Sequence, residues 1–343
     1  MTFPQRDLEG PSRGLYDGGT FHVEALFPVP GPLRFLGVLS CAASADTVAS
    51  LDGSVLLETL PMDDYTVHGQ APDPAAMTDS GYSDPSIQVE IHQEWIDGSH
   101  YNIAHIKIAH ASQLRTALER NSLNKNNYVW NIAATNNAVV ATGGEFLNLN
   151  TGTYTIRMSQ TLRTRGKKGR DALFIDQYGN FHITKRFTKD TVTELEAQGL
   201  QIVNAFNFGP ALVIDGEAVY EQCRGKNGYP LGAVNYPRPR TAFGQLGPLE
   251  YLMVVVDGKN VKVTNADGTV QRSPGVDIFA LGEFMYKSGC TQAYALDGGA
   301  SAVMYFAKTG RYSTPNSRRA VTDIIYFASL AVSTQTQESP AAQ

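Results

Sequence analysis

Cysteine and long apolar runs are both scarce in this chain. It has three cysteines, Cys41, Cys223 and Cys290, and none of them belongs to a CxxC pair. The spacing is therefore that of neither a disulfide-stapled scaffold nor a zinc site. No stretch reaches the ~18 consecutive apolar residues that a membrane-spanning helix requires, so we expect no membrane span in this chain. Residues 32–49 are internal and weakly apolar, and they make a poor signal peptide.

An excess of positive charge is also lacking. The 343 residues carry a formal net charge of −5, and the pI is about 5.8. Proteins that bind nucleic acid generally carry a basic excess, so this balance argues against nucleic acid as a partner. Hydrophobic residues make up 42% of the chain and charged residues 18%, which is the composition of a globular protein with a sizeable core.

Positive charge is concentrated in one run, within residues 163–170. The run comprises Arg163, Arg165, Lys167, Lys168 and Arg170. A solvated loop is one interpretation, because charged side chains are usually exposed. The other is a loop that attracts anions, and the sequence leaves both interpretations open.

Motifs of several common metal- and nucleotide-dependent enzymes are missing. There is no HExxH, P-loop, EF-hand loop or GxGxxG. All seven histidines precede residue 183, so a Ser-His-Asp triad built on Ser301 would need one of them to fold back. The sequence requires no cofactor, and it leaves open a divalent metal ion held by Asp297 and neighbouring carboxylates.

The pattern of short apolar runs predicts the fold class. From about residue 139 onward, β-rich runs repeatedly end in Asp, Asn or Gly, as in hairpins. Helices are predicted over 190–198 and 277–287, and a short helix over 112–120 with Ser112 as its N-cap. Many strands with few helices and no regular βαβ alternation predict an α+β fold with mixed, mostly antiparallel sheets.

The chain is predicted to have three parts. Residues 71–86 combine Pro, Ser, Asp and Gly with almost no aliphatic residue, which is typical of a linker or long loop. Residues 1–86 are therefore an N-terminal segment and linker without an assigned fold. Residues 87–335 form the main domain, and residues 336–343 are expected to be a disordered tail.

The strongest local signal is the segment AYALDGGASAVMYF, residues 293–306. An apolar strand runs into Asp297, Gly298 and Gly299, and a second apolar run follows. Two glycines let a ligand approach the backbone closely, and exposed amides in such a turn can bind an anion. Asp297 would then face a substrate hydroxyl or an anomeric carbon. The alternative interpretation is an ordinary hairpin turn.

Three further segments are short and of the same kind. RPRTAFG, residues 238–244, contains Arg240, a natural bidentate partner for phosphate or carboxylate. ATGGEFLN, residues 141–148, places two glycines before an acid, Glu145. NAFNFGPALVID, residues 204–215, leads an Asn/Gly/Pro turn into a strand. Each segment by itself is also explained as a turn.

Taken together and in this order, the segments resemble the phosphodiester glycosidase family. The resemblance covers roughly residues 90–330, so it assigns residues 87–335 as a phosphodiester glycosidase-like catalytic domain. The corresponding positions are 142–146, 209–216, 240–244, 257–258, 296–301 and 319–323. Three of them depart from the family pattern, since Thr142 replaces Asn, Glu145 replaces an aromatic residue and Ala300 replaces a third Gly.

The resemblance implies hydrolysis of a sugar-1-phosphodiester, such as one of N-acetylglucosamine, at the glycosyl C–O bond, with a phosphomonoester as the leaving group. It further implies exported glycans or glycoconjugates as substrates and a secreted or extracytoplasmic bacterial protein. Two alternatives stay open. One is a non-catalytic protein that binds carbohydrate or phosphoglycan, and the other is a phosphodiesterase that attacks phosphorus. The oligomeric state stays open as well.

The candidate residues suit that chemistry. A phosphate leaving group is a weak base, so the reaction needs an anion clamp and a carboxylate near the anomeric carbon more than it needs a general acid. We expect Asp297 and Arg240 to meet in one pocket. The candidate catalytic residues are Asp297, Arg240, Glu145 and Asp257. The candidate substrate-binding residues are Gly143, Gly144, Asn207, Gly209, Thr241, Gly298, Gly299, Ser301, Arg319 and Asp323.

Overall fold

The structure, a computed structural model, describes residues 46–147, 152–167, 169–224, 229, 234–313 and 319–332. The chain divides after Ser44 into two compact units, residues 1–44 and 45–343, and all described residues belong to the second. The predicted tail, residues 336–343, lies outside the described residues.

Strands predominate among the elements. The first half contains β1 (Thr47–Ala49), β2 (Leu56–Glu58), β3 (Met77–Thr78), β4 (Gly81–Ser83), β5 (Ile87–Ile96), β6 (Ser99–Ile108), β7 (Leu114–Leu118), β8 (Ala138–Gly143), β9 (Tyr154–Arg157) and β10 (Gln160–Thr164). The second half contains β11 (Ala172–Asp176), β12 (Phe181–Thr184), β13 (Ile202–Phe206), β14 (Ala211–Ile214), β15 (Glu217–Ala218), β16 (Arg240–Gly247), β17 (Glu250–Val256), β18 (Val261–Thr264), β19 (Val270–Ser273), β20 (Gln292–Ala295), β21 (Met304–Phe306) and β22 (Asp323–Ala328). The α-helices are α1 (Val129–Thr135), α2 (Lys189–Ala197) and α3 (Ile278–Lys287).

The strands form three larger sheets, and their named pairings are antiparallel. The largest has nine strands in the order β15-β14-β20-β16-β17-β6-β5-β4-β3. A five-stranded sheet has the order β10-β9-β13-β11-β12, and a four-stranded sheet has the order β21-β8-β22-β7. The pairs β1-β2 and β18-β19 are separate ribbons. The predicted α+β class with mostly antiparallel sheets is therefore confirmed.

The three larger sheets share one apolar core. It includes Ile106, Phe243 and Met253 from the nine-stranded sheet, Leu173 and Phe206 from the five-stranded sheet, and Val140 and Ile325 from the four-stranded sheet. Helix α3 packs against the nine-stranded sheet, α1 against the four-stranded sheet and α2 against the five-stranded sheet. Each helix forms a separate apolar cluster with its sheet. Because β17 is covered on both faces, its residues are buried almost continuously instead of alternately.

Helix α3 forms where the sequence predicts it. Asp277 caps its first turn by accepting a hydrogen bond from the Ala280 amide at 2.8 Å, and Gly289 takes a positive φ of 81° just after its end. Its apolar face, with Leu281 and Met285, packs on the nine-stranded sheet. No helix in the described ranges is long and apolar enough to cross a lipid bilayer.

The helix predicted over 112–120 is wrong. A short 3-10 turn, Ala111–Gln113, is followed by strand β7, and the side chain of His110 caps the turn. Strand β7 pairs with β22 in the four-stranded sheet, and all its residues are buried. Burial between neighbouring strands outweighs the local helical preference of this segment.

The linker predicted over 71–86 is also wrong in the structure. Its residues form a 3-10 turn, Pro74–Ala76, and the hairpin β3–β4, which pairs with β5 at the edge of the nine-stranded sheet. Tyr82 is only 2% exposed and belongs to the shared core. The chain divides at residue 44 and not at residue 86, because one aromatic anchor and main-chain pairing hold this polar segment to the sheet.

Candidate active site

A pocket lies where the start of β16, the end of β20 and the start of α3 converge. It is lined by Phe208, Gly209, Pro210, Val234, Arg238, Arg240, Ile278, Ala295, Leu296, Asp297, Gly298, Gly299 and Arg319. Six candidate residues from the sequence are among these: Arg240, Asp297, Gly209, Gly298, Gly299 and Arg319. The expectation that Asp297 and Arg240 line one pocket agrees with this geometry.

Sheet pairing explains why Arg240 and Asp297 come together. Strands β16 and β20 are antiparallel neighbours, with Ala242 opposite Ala295. The start of one strand therefore lies beside the end of the other. The Leu296 amide continues the ladder by donating to the Thr241 carbonyl at 3.0 Å. Residues far apart in the sequence are thus held on adjacent main chains.

Two Asp-Gly pairs, Asp297–Gly298 and Asp257–Gly258, lie next to this site, and their glycines allow two main-chain segments to pack closely. A Cβ atom on Gly298 would lie 2.7 Å from the Pro239 carbonyl oxygen. A Cβ atom on Gly258 would lie 2.5 Å from the Pro239 nitrogen. Both glycines therefore allow the chain to pass directly against the segment that carries Arg238 and Arg240.

Asp297 is a nearly buried carboxylate, only 7% exposed. Its Oδ2 accepts a hydrogen bond from Nη2 of Arg319 at 2.5 Å, and Nε of Arg319 donates to the Ser301 hydroxyl at 2.9 Å. Burial raises the pKa of Asp297, although Arg319 and the hydroxyl of Ser301 oppose this shift. The group is thus a carboxylate that binds a proton more readily than an exposed Asp.

Arg240 is anchored by the main chain. Its Nε donates to the Val276 carbonyl at 3.0 Å and its Nη2 to the Tyr236 carbonyl at 2.9 Å. Burial lowers the pKa of Arg240 to about 10, so the group keeps its positive charge at neutral pH. These bonds hold the planar guanidinium in one orientation at the pocket wall.

Arg238 is a pocket residue that we did not select from the sequence. It lies two positions before Arg240 in an extended segment, and residues with that spacing project from the same side of the chain. The spacing of the two arginines in the sequence RPR could therefore have indicated that Arg238 lies beside Arg240 in the pocket. Its side chain is exposed, and among the described residues it has no side-chain hydrogen bond or ion pair. With Arg319, whose Cζ lies 4.4 Å from the ring centroid of Phe146, three guanidinium groups and one carboxylate line the pocket.

A second ionic cluster lies behind Asp297. Arg157 is fully buried and donates from Nε and Nη2 to Oδ2 of Asp323 at 2.9 and 2.7 Å. Glu145 accepts a short hydrogen bond from the Asn207 amide, and its Oε1 lies 3.9 Å from Nη2 of Arg157. Burial raises the pKa of Glu145 to about 8, because the charged form is poorly solvated there. Arg157 has no local sequence signal, since it ends an ordinary strand.

Backbone contacts join this cluster to the pocket. The Asp297 amide donates to the Gly144 carbonyl at 3.2 Å. A Cβ atom on Gly144 would lie 2.3 Å from Oδ2 of Asp323, and one on Gly143 would lie 3.3 Å from the Ser301 carbonyl oxygen. The Gly-Gly pair therefore lets the Glu145 cluster approach the Asp297 segment. Its members lie behind the pocket and are not among its lining residues.

Asp257 and Thr241 also lie outside the pocket lining. Asp257 is buried, and its Oδ2 is bonded to Nδ1 of His100 at 2.8 Å and to the Asn102 amide at 3.0 Å. The Thr241 side chain is buried, and its hydroxyl has no hydrogen-bond partner within the described ranges. The structure thus places Asp257 as a partner of His100 and not beside Asp297. The part of the chain that the structure describes also shows no group of three or more His, Cys, Asp or Glu residues placed to hold a metal ion.

Comparison with known families assigns the chain. The phosphodiester glycosidase family model matches residues 132–328, and the protein belongs to this family. The fold is similar to the catalytic domain of zebrafish N-acetylglucosamine-1-phosphodiester alpha-N-acetylglucosaminidase, described as auto-inhibited by its pro-peptide. The TM-score is 0.55 and the identity 17%, over 76% of this chain and 88% of that one.

Two weaker structural likenesses accompany it. A hypothetical protein from Synechocystis aligns with a TM-score of 0.45 and 13% identity, over 70% of this chain and 62% of that one. A protein from Burkholderia pseudomallei aligns with a TM-score of 0.42 and 14% identity, over 67% of this chain and 74% of that one. No curated protein matches the sequence.

Proposed function

We propose that the protein hydrolyses a sugar-1-phosphodiester at the glycosyl C–O bond. The observation that carries the proposal is the composition of the pocket, in which Asp297 shares the wall with Arg238, Arg240 and Arg319. Guanidinium groups bind phosphate oxygens with strong, directed hydrogen bonds. A carboxylate stabilises the positive charge that develops at an anomeric carbon. Membership of the family supports the same reaction.

In the proposed reaction, the bond between the anomeric carbon and the phosphate oxygen breaks, and the phosphomonoester leaves with the bonding electron pair. Water adds to the anomeric carbon and gives up one proton. The arginines bind the phosphate and stabilise the charge that it gains. Asp297 faces the anomeric carbon, and the rise in its pKa on burial suits a group that also accepts the proton of water.

Two substitutions test these roles. Asp297→Asn keeps the shape of the side chain but removes its charge, and Arg240→Lys replaces a planar fork with a point charge. Loss of one charge-assisted hydrogen bond is worth roughly 1.5–3 kcal/mol, so we expect kcat/KM to fall about 10- to 150-fold or more in each. The assay is release of free sugar from a panel of sugar-1-phosphodiesters that includes N-acetylglucosamine, with and without divalent cations.

Exposed residues provide matched controls. Asp267→Asn makes the same chemical change in the turn between β18 and β19, and Arg272→Lys does so on β19, and neither residue is among those that line the pocket. Both controls should keep wild-type activity. The proposed site is wrong if folded Asp297→Asn and Arg240→Lys also keep it. Tight binding of the phosphodiesters without any product from the wild-type protein would instead favour a binding protein.

We further propose that the substrate belongs to exported glycans or glycoconjugates and that the protein acts outside the cytoplasm, as the family resemblance implies. Fractionation of the source cells, followed by detection of the protein with an antibody, tests the location. Recovery in the cytoplasmic fraction alone would contradict it.

A further inference from the structure

Arg170 is a buried arginine whose hydrogen bonds are incomplete. It is only 6% exposed, and its Nε and Nη1 are buried without a hydrogen-bond partner in the part of the chain that the structure describes. Arg157 is buried to a similar degree, but its Nε, Nη1 and Nη2 all donate to carboxylate or carbonyl oxygens. An unpaired buried charge is costly, so we expect these two donors to bind a group of opposite charge.

The neighbouring carboxylate does not supply that partner. Oδ2 of Asp171 accepts a hydrogen bond from the Ala211 amide at 2.9 Å, and Oδ1 accepts one from the Arg186 amide at 3.0 Å. No ion pair of Arg170 occurs among the described residues. The carboxylate of Asp171 thus binds main-chain amides, and it does not neutralise the charge of Arg170.

Arg170 lies directly behind one wall of the pocket. Its Cζ is 5.7 Å from the ring centroid of Phe208, which lines the pocket beside Gly209. The Tyr229 hydroxyl donates to the Phe208 carbonyl at 2.8 Å and accepts from the Asp171 amide at 2.7 Å. These bonds tie the segment that carries Arg170 to the Phe208–Gly209 wall. Arg170 itself is not among the lining residues, so a ligand that extends toward Phe208 reaches its guanidinium by displacing the Phe208 ring.

We propose that the Arg170 guanidinium is a second anion subsite, behind the Phe208 wall of the pocket and separate from the arginines that line the pocket with Asp297. This inference rests on the proposed function for its substrate class. The preferred substrate would be a sugar-1-phosphodiester whose aglycone carries a further anionic group, such as a phosphate. That group supplies acceptors for Nε and Nη1, which the described part of the protein leaves without partners.

The first test measures binding of inorganic phosphate to the full-length protein by isothermal titration calorimetry. We expect two sites in the wild type. Arg170→Met should weaken one of them about 10- to 150-fold, the loss of a charge-assisted hydrogen bond, and leave the other unchanged. Arg170→Lys should keep both sites but with reduced affinity at one. Arg165→Met is the matched control, because it removes the same charge from an exposed residue of the same basic run.

Thermal unfolding without phosphate separates a ligand-binding role from a structural one. Since Arg170 has incomplete hydrogen bonds in the free protein, Arg170→Met should unfold at or above the wild-type midpoint. A lower midpoint together with unchanged phosphate binding would overturn the proposal. So would a single phosphate site in the wild type, or two unchanged sites in Arg170→Met and Arg170→Lys.

The second test distinguishes a subsite for the substrate from one for free phosphate. It compares two sugar-1-phosphodiesters that differ only in a glyceryl or a phosphoglyceryl aglycone. We expect the wild type to favour the phosphorylated aglycone at least tenfold in kcat/KM, through KM, and Arg170→Met to lose this preference. Equal preference in both proteins would overturn the substrate class. Failure of the proposed function itself would show as no turnover of either compound, while the phosphate titration would still report on Arg170.

Discussion

Glu145 is a carboxyl group that is fully enclosed beside a buried ion pair. Arg157 donates two hydrogen bonds to Asp323 but only approaches Glu145 to 3.9 Å. Burial raises the pKa of Glu145 from its ordinary 4.5 to about 8, and the charge of Arg157 opposes this rise. At neutral pH Glu145 therefore carries a proton, and Arg157 pairs with Asp323. The aromatic residue of the family pattern is replaced here by a group that is uncharged in the folded state.

This proton makes stability depend on pH. Between pH 4.5 and about 8 the folded state holds a proton on Glu145 that the unfolded state has lost. The stability that it contributes is complete below pH 4.5 and is lost as pH rises toward 8, with a slope of up to ~1.4 kcal/mol per pH unit. Glu145→Gln copies the protonated shape, so it should remove this slope and keep the fold.

Urea unfolding at several pH values between 5 and 8 checks this prediction. Glu196→Gln on α2 is the control, because that side chain is exposed and its substitution should leave the slope as in the wild type. Parallel curves of stability against pH for the wild type and Glu145→Gln would show that Glu145 is charged in the folded protein, contrary to our account.

Close passage of main chains is the element-scale feature that builds the pocket. The turn after β17 presses Gly258 against Pro239, just before Arg240 opens β16. Gly258→Ala would place a methyl group 2.5 Å from the Pro239 nitrogen and 2.9 Å from the Arg238 carbonyl carbon. The segment that carries Arg238 and Arg240 would have to move. We expect a loss of ~1–3 kcal/mol in unfolding free energy and a clear fall in activity.

Gly247→Ala is the matched control for this substitution. At Gly247 a Cβ atom would meet its nearest neighbour, Oε2 of Glu250, at 3.9 Å, which is ordinary contact. Denaturant unfolding and the free-sugar assay compare the two variants. If Gly258→Ala is as stable and as active as Gly247→Ala, the Asp-Gly pair is an ordinary turn, and the close passage at Pro239 does not require a glycine.

Sequence patterns predicted those elements whose local signals agree with their environment. Helix α3 has a capping Asp277, an apolar face and a terminal Gly289, and it lies where these signals place it. Strand β7 has no such agreement. The buried guanidinium of Arg115 donates to the carbonyls of Pro61, Asp64 and Val67, and these long-range contacts are invisible to a local pattern. Burial in the tertiary structure therefore determines that this segment is a strand.

Sequence patterns likewise identified some residues of the candidate site and missed others. The ordered motifs identified Asp297, Arg240 and Arg319, because each belongs to a short segment of recognisable spacing. All three line one pocket. Spacing could not show that Asp257 faces His100, since that depends on the pairing of β17 with β6. It also could not show that Arg170 is buried, because a basic run in a sequence is equally compatible with a solvated loop.

At the scale of the whole molecule, residues well before 87 are part of the fold. The main-chain carbonyls of Pro61, Asp64 and Val67 accept the hydrogen bonds of Arg115, and the β3–β4 hairpin extends the nine-stranded sheet. Removing residues 1–86 would take away these three acceptors of the Arg115 guanidinium together with the β3–β4 hairpin, and the loss of these interactions is costly. Removing residues 1–44 respects the division of the chain into units.

We therefore predict different outcomes for the two truncations. The protein without residues 1–44 should unfold in one cooperative transition, and the protein without residues 1–86 should be insoluble or unfold without a defined transition. Circular dichroism during heating measures both. A soluble 87–343 fragment with the same midpoint as the 45–343 fragment would restore the domain boundary that the sequence predicted.

In the proposed function, the pocket of Asp297 and the three arginines is where the bond between the anomeric carbon and the phosphate oxygen breaks. Turnover of a sugar-1-phosphodiester in ¹⁸O-labelled water, with both products analysed by mass spectrometry, tests it most directly. We expect the label to appear in the released sugar and not in the phosphomonoester, and we expect Asp297→Asn to slow its appearance strongly. Label in the phosphate would mean attack at phosphorus and would contradict cleavage at the glycosyl C–O bond, as would the absence of turnover on every phosphodiester of the panel.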